Sequence, residues 1–177
     1  MVEVIIDSIR VSLMSQHRVV VLKDINAERY LTIWIGPCEA EAINIRLQNV
    51  PSPRPLTHDL LQSVITELGG KVVHILISAM REDIYYARIV LEFAGNQIEI
   101  DARPSDAIAL AVRSEVPIFV ADLVMDKLAA PPDEDVEHEL DTTAADESEN
   151  EVVDESRLSA FADFLDTLNM DELDDEE

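Results

Sequence analysis

The 177-residue chain contains a single cysteine, Cys38, so it can build neither an intrachain disulfide nor a cysteine-based zinc site. Glycine is also scarce, with four residues. None forms a phosphate-cradling glycine-rich loop, and a Gly-x-Ser-x-Gly elbow and a paired-histidine zinc motif are missing too. No apolar run approaches the ~20 residues of a membrane-spanning helix. The opening Met-Val-Glu-Val-Ile-Ile-Asp lacks the basic start of a secretory signal. The expectation is a cytoplasmic protein that makes no membrane contact. Basic residues are few: 13 Lys plus Arg stand against 37 Asp plus Glu, a net charge of −24.

That acidity is unevenly placed. Residues 1–128 hold 12 basic and 17 acidic residues, whereas residues 129–177 hold 20 acidic residues and one base, Arg157. A proteome-wide adaptation to salt would acidify the folded surface as well, so the charge belongs to the tail. The chain therefore divides into a folded domain (residues 1–128), an acidic linker (129–155) and an acidic tail (156–177). The linker is poor in large apolar residues and is expected to stay unfolded, because burial cannot offset the entropy of ordering it. In the tail Leu158, Phe161, Leu165 and Leu168 recur at helical spacing. A helix that short needs something to dock on, and a protein partner is the expected one.

Within residues 1–128 the patterns alternate between strand and helix. Residues 2–13, 19–22 and 30–35 read as strands; in the last, Leu31, Ile33 and Ile35 point one way and Tyr30, Thr32 and Trp34 the other. Gly36-Pro37 ends that strand and Ala40, Ile43 and Leu47 follow at helical spacing. After a loop with Pro51, Pro53 and Pro55, a second helix is expected from Thr57, its cap, to Leu68 before Gly69-Gly70. Strands at 71–79, 84–93 and 97–101 lead to a third helix at 104–113 with Ser105 as cap. A short strand or edge segment at 117–120 and a helical turn at 123–128 complete the domain. Pro37-Cys38-Glu39-Ala40-Glu41-Ala42-Ile43 and Pro104-Ser105-Asp106-Ala107-Ile108-Ala109-Leu110 share one pattern, each after an alternating strand. The expected fold is thus α+β, with duplicated β-β-β-α units forming a mostly antiparallel or mixed sheet covered by helices.

Residue types that carry chemistry collect at two strand-to-helix or loop-to-helix joints. With Ile98 and Ile100 turned to the core, Glu99 and Asp101 project from the opposite face. Arg103 is held extended by the proline after it. Ser105 and Asp106 stand at a helix start, where free N–H groups favour anions. Asp101 and Asp106 are candidate ligands for Mg²⁺ or Mn²⁺, ions that neutralise a phosphodiester and activate water, with Arg103 on the phosphate. The structural alternative is that Asp106 only stabilises its helix and Asp101 only pairs with Arg103. Arg54-Pro55-Leu56-Thr57-His58-Asp59 repeats the theme: Arg54 is fixed before proline, His58 is a candidate base and Asp59 a second carboxylate. Here the alternative gives Thr57 the cap and Asp59 the helix dipole. Trp34 reads as packing or as a contact in a homo-oligomer.

At these residues the chain resembles the bifunctional nuclease domain family, proteins credited with DNase and RNase activity. The resemblance rests on Ile33-Trp34-Ile35-Gly36 with Glu39-Ala40, on residues 54–61 and on residues 100–110, in order, and covers nearly all of residues 1–128. It implies hydrolysis of DNA or RNA with Asp101, Asp106, His58 and Asp59 at the reacting centre. Arg54, Arg103 and Ser105 would bind substrate and Glu39 would join Asp101 and Asp106 on the metal. The core departs from this picture in one respect: it carries only Lys23, Lys71 and Lys127 as lysines, without the basic stripe of a tight nucleic-acid binder. A non-catalytic anion-binding or regulatory module, with the acidic tail recruiting a partner, is the alternative that this shortage favours.

Limited proteolysis is expected to cut between Ala129 and Asp154 and to leave a core whose unfolding midpoint matches that of the full chain. Unfolding of the core on removal of residues 129–177 would show that the tail is structural.

Overall fold

The computed structural model describes residues 1–11 and 17–131. The expectations for the acidic linker beyond residue 131 and for the tail helix lie outside the described residues. Three strands, β1 (Val2–Val11), β2 (Arg18–Asp24) and β3 (Tyr30–Ile35), run as an antiparallel meander and lead into α1 (Pro37–Leu47). Helix α2 (Thr57–Glu67) follows the proline loop. A second meander, β4 (Gly70–Arg81), β5 (Ile84–Phe93) and β6 (Asn96–Ala102), leads into α3 (Pro104–Ser114). The short β7 (Ile118–Val120) and α4 (Asp122–Leu128) close the domain.

The strands form one seven-stranded mixed sheet in the order β3-β2-β1-β7-β4-β5-β6. Every pairing is antiparallel except β4 with β7. Strand β7 is short, as expected, yet it is no edge. Ile118, Phe119 and Val120 lie between Val2–Val4 and Ile75–Ile77, so three consecutive apolar residues join the two meanders. Helix α1 lies over β2, α3 over β4 and β5, and α2 over β4 and against α3. The core is continuous across both meanders: Leu22, Leu31 and Ile33 belong to the same apolar cluster as Ile75, Ile77 and Ile89, with Ile43 and Leu110 from the helices. Ala107, Ala109 and Ala111 are fully buried, and their small side chains let α3 approach the sheet closely.

Two features of the sequence reading are corrected. Ile98 and Ile100 do not face a covered core: they are 41% and 44% exposed. Strand β6 is the last in the sheet, and in this half of the sheet the helices pack on β4 and β5. The alternation of β6 is therefore present without a layer to bury it. The helix caps are also displaced by one or two residues. Leu56 rather than Thr57 is the N-cap of α2, and Arg103 rather than Ser105 that of α3, where Ser105 is instead buried in the first turn. Asp59, three residues into α2, accepts the Leu56 N–H at 2.8 Å, the half of a capping box that the third helical residue supplies.

Candidate active site

Helices α1 and α3 both begin with proline at their first position, after an extended residue, Gly36 or Arg103. Proline there has no N–H to leave unpaired and has its φ preset for the helix. The two helices pack together, so their starts are neighbours. Arg103 spans them: Nη1 donates to Glu39 Oε1 at 2.9 Å, while Nε and Nη2 donate to Asp106 Oδ2 and Oδ1 at 2.7 and 3.0 Å. The contact to Asp106 is the bidentate fork that suits guanidinium and carboxylate geometry. Gly36 makes room for this, because a β-carbon there would occupy the place of the Glu39 carboxylate.

His58 in the first turn of α2 completes the cluster. Its Nε2 lies 3.4 Å from Asp106 Oδ1, and its side chain is largely buried. Thus Glu39, His58, Arg103 and Asp106 converge from three helix starts. Their exposures differ in a useful way: the side chain of Arg103 is 65% exposed, that of Asp106 31% and that of His58 13%. The reactive-looking cation faces solvent and the acid–imidazole pair lies behind it. The Arg103 hydrogen bonds, against the cost of partial burial and with help from His58, hold the Asp106 carboxyl below the usual carboxylate range. The same bonds keep the Arg103 guanidinium firmly charged.

Other predicted residues are placed elsewhere. Asp101 is exposed on β6, opposite Arg88 of β5, and shares no hydrogen bond or ion pair with the four clustered residues. Its neighbour on that face, Glu99, pairs with Arg88. Ser105 is buried in α3. Arg54 is exposed in the proline loop, and Asp59 points away from His58. One Asp59 oxygen takes the Leu56 N–H and the other takes Arg113 Nε at 2.6 Å.

Arg113 is the residue that sequence reading passed over. Its side chain is 2% exposed, and its Nη1 donates to the Ala109 carbonyl at 2.8 Å. The signal was present: Arg113 lies four residues after Ala109, on the buried stripe of α3, where a charge requires a partner. Burial works against ionisation of Asp59, yet the Leu56 N–H and Arg113 outweigh it and lower the pKa of its carboxyl.

A first-turn arginine fork, a carboxylate–imidazole pair and a meander-helix α+β scaffold define a domain with a polar cluster at converging helix starts. The family model described as the bifunctional nuclease domain matches residues 20–133, and the chain belongs to that family. It is 36% identical over 171 residues to an uncharacterized protein of Mycobacterium tuberculosis strain H37Rv, covering 96% of each chain. It is also 32% identical over 108 residues to bifunctional nuclease 1 of Oryza sativa subsp. indica, covering 59% of this chain and 33% of the rice protein. With bifunctional nuclease 2 of Arabidopsis thaliana the identity is 31% over 77 residues, 42% of this chain and 23% of the plant protein.

A carboxyl whose folded pKa lies below its ordinary 3.8 contributes stability above that pH and loses it as the pH falls through the folded value. Asp59→Asn keeps an acceptor for the Leu56 N–H but leaves Arg113 buried without a counter-charge. It is expected to cost about 2 kcal/mol near neutrality, toward the low side for breaking a buried pair because Asp59 is partly exposed. Urea midpoints measured across pH should show that difference shrinking as the pH falls below 3.8 and the wild-type carboxyl protonates. A difference independent of pH would refute the charge assignment.

Proposed function

We propose that the chain hydrolyses phosphodiester bonds in DNA or RNA with low sequence specificity, using the cluster of Arg103, Asp106, His58 and Glu39. The observation that carries this reading is the Arg103 fork: an exposed guanidinium, already preorganised in a bidentate geometry, backed by a buried imidazole on the same carboxylate. Membership of a family described by nuclease activity, and similarity to plant proteins named bifunctional nucleases, support it. The repeated order of three strands and a helix also supports descent of the scaffold from a duplicated β-β-β-α unit.

In this mechanism a substrate phosphate exchanges with the carboxylates for Arg103, whose planar donors match two phosphate oxygens. Asp106 is then free to orient His58 through the 3.4 Å contact, and His58 moves the proton of the attacking water or of the leaving oxygen. Glu39 holds Arg103 in position between turnovers. Binding carried by the phosphate accounts for low sequence specificity, because phosphate contacts position a strand without reading its bases. With so few basic groups, affinity should be modest and should fall as salt rises.

The Mg²⁺ or Mn²⁺ expected from the sequence is not accommodated by the present arrangement. Arg103 holds the place between Glu39 and Asp106, and among the described residues no three His, Cys, Asp or Glu side chains are grouped as a metal site. A cation would require Arg103 to leave, with Glu39 and Asp106 as the carboxylates to hold it, and no step above depends on it.

Highly purified full chain should cleave single-stranded RNA or DNA. His58→Ala and Arg103→Ala should each lower the rate at least about a hundredfold while the fold is kept, the scale of losing a proton-transfer group or a charge-stabilising donor. Asp101→Asn, outside the cluster, should lower it less than about tenfold. Adding Mg²⁺, Mn²⁺ or a chelator in the same assay reads the cation requirement. Cleavage that survives both cluster substitutions, or that parts from the protein on further purification, would eliminate this reading in favour of a binding module.

A further inference from the structure

Beyond the Arg103 cluster, on the Asp59 side of the first turn of α2, lies a cleft of about 450 Å³ between the ends of α1 and α3 and the proline loop. Neither His58, Arg103 nor Asp106 lines it. Its walls include Arg46, Arg54 and Arg113, three of the ten arginines of the chain, and Asp59 is its one carboxylate. We infer that this cleft binds a phosphomonoester of nucleotide size, through Arg54 and Arg46, at a place separate from the proposed hydrolytic cluster.

The charge balance is the first reason. Both Asp59 oxygens are committed, one to the Leu56 N–H and one to Arg113. Arg46 pairs at 3.1 Å with Glu115, which lies outside the walls and is itself exposed. Arg54 has no ion-pair partner among the described residues. Arg113 and Arg46 are thus each paired, and Arg54 is the cation of these walls left without a carboxylate, in a domain whose overall charge is negative. An arginine left without a carboxylate in such surroundings is a ready donor pair for an oxyanion.

Preorganisation is the second reason. Arg54 sits between Pro53 and Pro55, which fixes the backbone on both sides. The Ser52 hydroxyl donates to the Arg54 carbonyl at 2.7 Å and holds the turn. The loop also leaves α1 in a defined way. Asn49 takes a left-handed φ of 52°, and the Asn49 and Val50 N–H groups return to the Arg46 and Ile45 carbonyls. That closing motif pins the chain just where the cleft wall begins. A wall already ordered loses little entropy when a ligand arrives.

The remaining walls give the size and class. Val50, Pro51 and Leu56 present apolar surface beside the cationic end, and the volume lies within the range of small-molecule sites. Inorganic phosphate would leave most of that space unused, whereas a mononucleotide has a dianionic group for the arginines and a flat ring for the apolar wall. The phosphate terminus of a strand offers the same chemistry.

Calorimetric titration of the full chain in EDTA tests this without cleavage, because AMP contains no phosphodiester bond to hydrolyse. AMP should bind saturably, adenosine at least about tenfold more weakly, and Arg54→Ala should weaken AMP at least about tenfold, as expected for losing a charge-assisted pair of hydrogen bonds. Arg54→Ala removes an exposed, unpaired side chain, so its thermal midpoint should be unchanged. Arg46→Ala should weaken AMP as well, and Arg103→Ala should leave AMP affinity within about twofold of wild type. A 5′-phosphorylated trinucleotide compared with its unphosphorylated form separates the two sources. Preference for the phosphorylated form beyond AMP indicates a strand end, and equal or weaker binding indicates a free nucleotide. Absence of saturation up to about 10 mM AMP, or equal affinity of wild type and Arg54→Ala, would overturn the assignment.

Discussion

A guanidinium buried in an otherwise apolar helix stripe is costly unless its charge is met, and Arg113 is met by one carboxylate, that of Asp59. The rest of the site depends on this pair. Helix α2 has no fully buried residue; Leu60, Val64 and Leu68 are exposed, and only Ile65 packs against the main core from its apolar side. What holds α2 to α3 is therefore mainly polar. Asp59 reaches Arg113, and the Gln62 side chain donates to the Arg113 carbonyl at 3.0 Å. Removing Asp59 would leave a buried charge, and removing either partner would loosen the helix that carries His58.

Two adjacent residues of one helical turn thus face opposite sides of α3. Asp59 points toward the C-terminal end of α3 and Arg113, and His58 toward its N-terminal end and Asp106. Seven residues of helix separate Asp106 from Arg113, roughly 10 Å of rise. The first turn of α2 therefore lies along α3, with the hydrolytic cluster on one side and the arginine-lined cleft on the other. The prolines at the starts of α1 and α3 set the third side, bringing Glu39 to Arg103.

Much of this was legible from local patterns, and the failures share a cause. Strand alternation at Leu31, Ile33 and Ile35 and the helix start at Pro104 are properties of a few neighbouring residues, and the structure reproduces them. The burial of Ile98 and Ile100 depended on where the helical layer ends, which alternation does not encode. Asp101 lies exposed on β6 opposite Arg88, while Asp106 in the first turn of α3 takes the Arg103 fork, and strand alternation alone does not say which carboxylate the arginine will meet. The set of Glu39, His58, Arg103 and Asp106 was named residue by residue, but its assembly needed α1 against α3 and α2 against α3. The second of those contacts rests on an arginine whose partner is 54 residues away.

Backbone amide hydrogen exchange on Arg113→Met, compared with the wild type under conditions where both are folded, tests this dependence directly. If the pair anchors α2, amides of residues 61–67 should lose protection while those of β4 and β5 keep it, since sub-global opening is read segment by segment. Unchanged protection along α2 in the folded variant would contradict the account, because the helix carrying His58 would then be held by something other than the Asp59–Arg113 pair.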